Sequence, residues 1–405
     1  AIAGRNSYEY YDPERKSPLH NWHITNGAVF EDVGQWKRPW YFPINKDETM
    51  DEAVQRESKN VRENAGVLDG STLGKIEIKG KDALAFMNLI YTNSFSKMKP
   101  GTSRYALMLG EDGMVKDDGI ICKISDEHFI ATTTTGGAAT VLGCMEEYAQ
   151  TEWPNLNVYM NSITEQYATF NISGPKTRNI IEKVFPEVNF SNEAFPFMTF
   201  QFHEYEDTPI RILRASFTGE MGYEIYVPSN QALKIWEKII NFGKEFGLKP
   251  YGTETMHLLR AEKGYIIVGQ DTDGSITPLD LGLDWMIGKS KKDFLGKRSL
   301  IRSDTVRKDR KQLVGILPTN KNEKLEEGQH IILDKEIKTP TPMLGHITSC
   351  YQSPTLGHNF ALAVIKNGQS LIGTKAFAST PELKTIEVEI VEPIFYDKEN
   401  TKLAS

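Results

Sequence analysis

The chain has 405 residues and a mass of 45.8 kDa, enough for two to four domains and for a core that needs no disulfide or metal staple. Its 39% hydrophobic and 25% charged content is that of a globular protein, and a net charge of -7 argues against broad nucleic-acid binding. No apolar run reaches the length of a membrane span, residues 1–16 hold no signal-peptide core, and three scattered cysteines (Cys122, Cys144, Cys350) point to a reducing, cytoplasmic setting.

In chain order, residues 1–45 read as loop-rich and aromatic, a segment that wraps a larger body. Residues 49–64 predict an amphipathic helix with Met50, Val54 and Val61 inward. A strand follows at 75–79 and a helix at 81–92. Residues 104–125 predict a β-hairpin around the turn GEDG, followed by the strand HFIATTTT and a helix through Tyr148. The strand QYATFNIS leads to a helix, KTRNIIEKVF. Residues 210–227 predict a second hairpin, and 230–246 a helix with Leu233, Trp236, Ile240 and Gly243 on one inward face. Residues 253–263 read as helical. After about 311, short strands separated by turn residues predict a small all-β domain.

Charge is concentrated in residues 289–311, which hold ten Lys or Arg against three Asp. The segment reads either as a site for an anionic ligand or partner, or as a solvated helix and linker between domains. No phosphate-cradling loop, dinucleotide fingerprint or serine-nucleophile elbow survives inspection. His20 and His23 lack the neighbours of a metal site.

The strongest chemical signal is Asp117-Asp118 at a predicted strand start. Adjacent strand residues face opposite ways, so one carboxylate enters the sheet's inner face, where burial raises its pKa and equips it to exchange protons. The bland alternative is a pair of turn residues. Glu224, inside GYEIYV, is either exposed on an edge or buried with a partner. Glu262 reads as a surface or interdomain ion pair with Arg260.

Several stretches, among them YALMLGEDGMVKDDGII, FTGEMGYEIYVP, VGQDTDGSITPLDLGLDW and HITSCYQSPTLGHNFALAVI, resemble the folate-dependent aminomethyltransferases, the glycine-cleavage T-proteins. The likeness runs from about Asp51 to Tyr396. A narrower set, including SPLHNWHITNGAVFEDVGQWKRPWYFP, TTTTGGAA and YGTETMHLLRAEKGYIIVGQDTDG, resembles the C-terminal half of the alpha subunits of heterotetrameric sarcosine oxidases. That family's N-terminal half carries a dinucleotide-binding part with no counterpart here. With Ala at position 1, the expectation is a piece of a longer subunit, or a free-standing relative.

The resemblance implies an α+β fold: a three-domain cloverleaf around a central folate cavity. Residues 1–75 and 166–290 would form one interleaved domain, 76–165 a second, and 291–405 a C-terminal β-barrel. It implies tetrahydrofolate as the cofactor. Flavin and NAD would belong to other subunits or to the missing half. The partners would be a flavin-carrying beta subunit and the other sarcosine oxidase subunits, with no nucleic acid and no membrane.

Residue by residue, Asp118 matches the family's catalytic acid and Glu224 a carboxylate that binds the pterin's donor edge. Tyr105 matches an aromatic of the folate site, and Trp285 a tryptophan that packs in the cavity. Thr133 stands near a T-protein Asn. Phe217 replaces a Tyr, so a hydroxyl contact is lost there. Met256 replaces an Arg, whose folate-tail contacts Arg260 and Lys263 would only partly restore. The implied activity is transfer of the one-carbon unit of oxidised sarcosine to tetrahydrofolate, giving 5,10-methylenetetrahydrofolate and glycine. Two alternatives stand beside it. One is a stand-alone aminomethyltransferase or demethylase; the other is a non-catalytic scaffold that docks through the aromatic segment 22–42.

Overall fold

The computed structural model describes residues 14–337 and 340–404. Residues 1–13, part of the predicted wrapping segment and of the first domain, lie outside the described residues, as do 338–339 and 405 in the last domain.

Local signals set the first long helix. Thr49 caps Met50–Glu63 by accepting from the Glu52 backbone N–H, while the Glu52 carboxylate accepts from the Thr49 N–H. Val54 and Val61 are buried against Leu258 and Leu259 of a second helix, Thr253–Glu262. This helix pair leads into a six-stranded sheet ordered Phe200–Tyr205, Thr208–Leu213, Gly222–Pro228, Tyr167–Ser173, Ala65–Asp69, Leu248–Pro250. Only the last pair is parallel. Helices Thr177–Val184 and Ala232–Gly243 cover one face, over Phe170, Ile172, Ile212 and Tyr223. The inward face of Ala232–Gly243 matches the expected one at Trp236 and Gly243, which are buried, and differs in that Ala232, Ile235 and Ile239 are also buried while Leu233 is 47% exposed. Trp236, the bulkiest group, seats itself on Phe170 and Trp22, and the helix turns so that Ile235 and Ile239 flank it.

The second sheet is ordered Thr102–Leu109, Val115–Ser125, His128–Thr133, Gly74–Lys79, Tyr159–Ser162. The predicted GEDG turn joins its first two strands, and Gly113 takes the positive φ of 84° that closes it. Helices Ala83–Ile90 and Ala138–Thr151 cover one face. The chain crosses from the first sheet to the second between Asp69 and Gly74, and returns between Ser162 and Tyr167.

Strands Lys311–Pro318, His330–Ile332, Gly345–Ser353, His358–Lys366, Lys375–Ser379 and Thr385–Val391 close into a barrel. Residues 291–310 precede it and bridge it to the second sheet, with Phe294 and Leu300 packed against Leu313, Phe360 and Leu362 of the barrel. The Leu295 N–H donates to the Leu89 carbonyl at 2.8 Å, and the Ser299 hydroxyl to that of Glu111 at 2.5 Å. The basic stretch is therefore a connecting strap. Arg310 grips Asp280 through Nε and Nη2 at 2.8–3.1 Å, and Lys291 donates to the carbonyls of Tyr91 and Asn93.

The N-terminal segment is more ordered than expected. Arg15–Lys16, Val29–Val33 and Trp36–Tyr41 form a three-stranded sheet beside a short helix, His20–Thr25. Its aromatic residues point into the chain: Trp22 lies edge-on to Trp236, and the Trp40 indole donates to Glu254 at 2.8 Å. His23 meets the Asp69 carboxylate at 3.0 Å, with both groups buried. The segment proposed as a docking surface is largely consumed in holding its own fold.

Buried ion pairs lock the helix pair to the barrel. Arg62 holds Glu220 at 2.9 Å and Glu262 at 2.5 Å, with its guanidinium over the Tyr396 ring. Glu262 thus pairs with Arg62, inside the protein. Arg260 pairs with Asp271 and donates to Ser349 at 2.8 Å, and Lys263 pairs with Asp397. Removing one partner from such a pair costs about 3–5 kcal/mol. Arg260 and Lys263, expected to restore part of the folate-tail contacts, are held in these pairs.

Candidate functional site

The uncovered faces of the two large sheets look toward each other. Cys122 and Ile130 of the second sheet share an apolar cluster with Phe200, Leu213 and Tyr226 of the first. Around this cluster both sheets carry polar groups, in an alternation that strand geometry enforces.

On the second sheet, Asp118, Ile120 and Cys122 share the inter-sheet face with Tyr105 and Leu107 of the neighbouring strand. The Tyr105 hydroxyl donates to Asp118 Oδ2 at 2.6 Å. Asp117 points the other way. Its oxygens accept from the Asp118 and Thr134 backbone N–H groups and the Thr134 hydroxyl, at the start of helix Ala138–Thr151. Asp117 is thus buried and occupied in holding the turn at Thr134, ahead of that helix. Burial pushes the Asp118 carboxyl up to about 7, with the Asp117 charge adding to the shift and the Tyr105 hydrogen bond opposing it. Tyr105 and Leu107 also pack in the cluster that holds Leu313, Phe360 and Leu362 of the barrel, so the acid lies where all three bodies meet.

On the first sheet, Glu224 sits directly opposite Asn171 in register. Glu224 accepts from the Tyr226 hydroxyl at 2.6 Å and from the Asn171 amide at 3.1 Å. Burial raises its pKa, while Tyr226, Arg211, Lys75 and Asn171 act in the opposite direction. The buried Lys75 donates to the carbonyls of Ser71 and Leu73, and burial draws its amine down to about 7.

Phe217 stacks on Tyr265 with centroids 6.0 Å apart and lines a small cleft with Asn171, Ser216, Tyr251 and Met256. The cleft therefore runs from Asn171, the partner of Glu224, to Met256. Two expectations differ from the structure. Thr133 shares its face with Phe129 and Ala131, under the helices, and its hydroxyl donates to the Thr134 carbonyl at 2.9 Å. One residue of alternation puts Thr132, not Thr133, beside the acid's strand, where it accepts from the Ile120 N–H at 2.8 Å. Trp285 is 65% exposed in the short 3-10 helix Asp284–Met286, so its indole is not packed in the interior.

Asn171, Tyr226, Arg211 and Lys75 were not anticipated. A signal existed: Thr169, Asn171 and Ser173 recur at every second position of an apolar strand, and so do Glu224 and Tyr226. Three buried polar atoms on this face have no partner: Asn171 Oδ1, Thr169 Oγ1 and Arg211 Nε. Such atoms are costly to bury unless a polar ligand or water meets them. All three cysteines are free, and no cluster among the described residues could hold a metal ion. Nor is any described helix long and apolar enough to cross a membrane.

Residues 19–291 match the GCVT N-terminal domain family, and residues 311–397 the glycine cleavage T-protein C-terminal barrel domain. The chain belongs to the glycine cleavage T-protein family. It is 49% identical to the sarcosine oxidase alpha subunit of a Corynebacterium species over 99% of its own length and 42% of that subunit. It is 30% identical to an aminomethyltransferase of a Thermoanaerobacter species, over 96% of this chain and all of that enzyme. The crystal structure of aminomethyltransferase T from Bartonella henselae superposes with a TM-score of 0.81 at 22% identity, covering 95% of this chain and 98% of that one, so the T-protein fold is shared. The chain spans about two fifths of the length of the sarcosine oxidase alpha subunits it matches.

Proposed function

We propose that this chain is the folate-binding part of a sarcosine oxidase, passing the one-carbon unit of oxidised sarcosine to tetrahydrofolate. The observation that carries the reading is that each of the two sheet faces that meet carries a carboxylate–tyrosine contact, one of them holding an acid near neutrality. The group fits the residues present. Glu224 and the free Asn171 amide oxygen form an acceptor edge for the amino-pyrimidine of a pterin. Phe217 lines the adjoining cleft, and Trp285 stands exposed, one residue from Met286, whose carbonyl accepts from Thr92.

Bound tetrahydrofolate supplies the nitrogen that accepts the carbon, with 5,10-methylenetetrahydrofolate and glycine as products. Asp118 takes and returns the proton at that nitrogen, a role its position near neutrality suits, and Tyr105 holds the carboxylate oriented. Help of this kind is worth about 10²–10⁴-fold. The surrounding sheets exclude water that would otherwise hydrolyse the imine. Flavin and NAD chemistry is assigned to other subunits or to another part of the alpha subunit, with a flavin-carrying beta subunit as the partner, in the cytoplasm.

Asp118→Asn in the assembled enzyme tests this. Folate binding should persist while folate-coupled product falls by about 10²–10⁴-fold; unchanged methylenetetrahydrofolate yield would remove Asp118 from the mechanism. A second reading, a stand-alone aminomethyltransferase, is favoured by the match that covers the whole Thermoanaerobacter enzyme. Turnover by the isolated chain with tetrahydrofolate and no flavoprotein would select it.

A further inference from the structure

Arg211 is 6% exposed, and its guanidinium carbon lies 3.9 Å from the centroid of the Tyr226 ring. Arg211 and Tyr226 are directly opposite in register, one row along from Leu213 and Glu224. No described carboxylate pairs with Arg211, and its Nε has no partner. A buried cation placed this way is expensive unless it acts on something nearby. What it touches is the ring whose hydroxyl donates to Glu224 Oε2 at 2.6 Å.

We infer that Arg211 and Tyr226 are positioning residues for the Glu224 carboxylate, with Arg211 acting through the phenol ring it covers. The inference rests on the folate reading only in making Glu224 the ligand's acceptor. A cation on the π face withdraws electron density from the ring and makes its hydroxyl a stronger donor. The same charge opposes the burial that would protonate Glu224. Lys75 and Cys122 approach from the facing sheet and Tyr251 from the adjoining loop; the ionisation of Glu224 answers to Tyr226, Arg211, Lys75 and Asn171 together, while the thiol and the Tyr251 phenol, both neutral, are themselves pushed up by burial and further by its charge. An ionised Glu224 offers two acceptor oxygens to two N–H donors; a protonated one presents a donor where an acceptor is required.

The test uses the purified chain with whatever subunits accompany it. The carboxyl stretch of Glu224 is followed by pH-difference infrared spectroscopy, assigned with Glu224→Gln, and tetrahydrofolate binding by titration calorimetry. Arg211→Met should move the Glu224 midpoint up by about one unit. It should also weaken tetrahydrofolate binding about tenfold at pH 6 and less at pH 9. Arg211→Lys should recover part of both effects, and Tyr226→Phe, which keeps the fold and the cation but loses the hydroxyl, should reproduce the shift of the midpoint. The Asp118 midpoint should not move in any of these variants. A Glu224 midpoint unchanged in both Arg211→Met and Tyr226→Phe overturns the inference. A midpoint that shifts as expected, in a protein that binds no tetrahydrofolate even unmutated, supports the positioning and overturns the folate reading instead.

Discussion

The two sheets present the same contact twice. Asp118 and Glu224 each take a tyrosine hydroxyl at 2.6 Å, and each is pushed up by burial. Their surroundings differ. The other charge acting on Asp118 is the carboxylate of Asp117, which pushes the same way as burial. Glu224 has the guanidinium of Arg211, the amine of Lys75 and the amide of Asn171, all opposing it. Identical hydrogen bonds therefore serve opposite ends. A carboxyl left with its own kind trades protons near neutrality, and one backed by cations remains an acceptor.

Mutations can break this contrast. The largest effect is expected from Asp118→Asn, the loss of folate-coupled product given above. Next is Glu224→Gln, which replaces a charged acceptor by a neutral one; tetrahydrofolate should bind about 10–100-fold more weakly by calorimetry, with product per bound folate changed far less. If Glu224→Gln instead spared binding and abolished product, the two roles would be reversed. Tyr105→Phe should act more gently. Its hydroxyl holds the Asp118 pKa down, so its loss should carry the limb of the pH–rate profile near 7 upward by about one unit. A profile that does not move would show that the phenol orients the acid without tuning it.

Much of the fold was legible because its signals are local. Thr49 and Glu52 announce the first helix, Gly113 the hairpin, and the alternating runs after residue 311 the barrel strands. The three-stranded N-terminal sheet was not, since Arg15–Lys16 pairs with Trp36–Lys37, twenty-one residues onward, and no local pattern encodes that. In the site, alternation forced Asp117 and Asp118 apart but did not say which would be tied to the turn at Thr134. That choice came from the resemblance. Arg211 was invisible for a deeper reason: an arginine in a strand reads as a solvated edge residue, and only tertiary pairing lays it on Tyr226.

The smallest expected effect is on stability, and it separates the two carboxylates most cleanly. Asp118 titrates at about 7 in the folded chain and in the ordinary carboxylate range when unfolded. Between those values the folded chain holds a proton that the unfolded chain has released. What this group contributes to stability is therefore fully present below the ordinary range and is lost as pH rises toward 7 and beyond. Asp118→Asn removes the charge that burial penalises and keeps an oxygen for Tyr105. It should raise the unfolding midpoint relative to the parent at pH 8, by something on the order of 1 kcal/mol after allowing for partial solvent screening, and leave it unchanged near pH 3. Glu224→Gln also removes a buried charge whose folded pKa lies above the ordinary range, but in the parent the Arg211 guanidinium and the Tyr226 and Asn171 hydrogen bonds offset part of that burial. It should raise the midpoint at pH 8 by less than Asp118→Asn does. Thermal melts of both variants at the two pH values decide the matter. A smaller rise at pH 8 for Glu224→Gln than for Asp118→Asn means that the cation beside Glu224 offsets its burial, whereas equal rises would mean that burial alone governs both and that the contrast drawn from Arg211 is wrong.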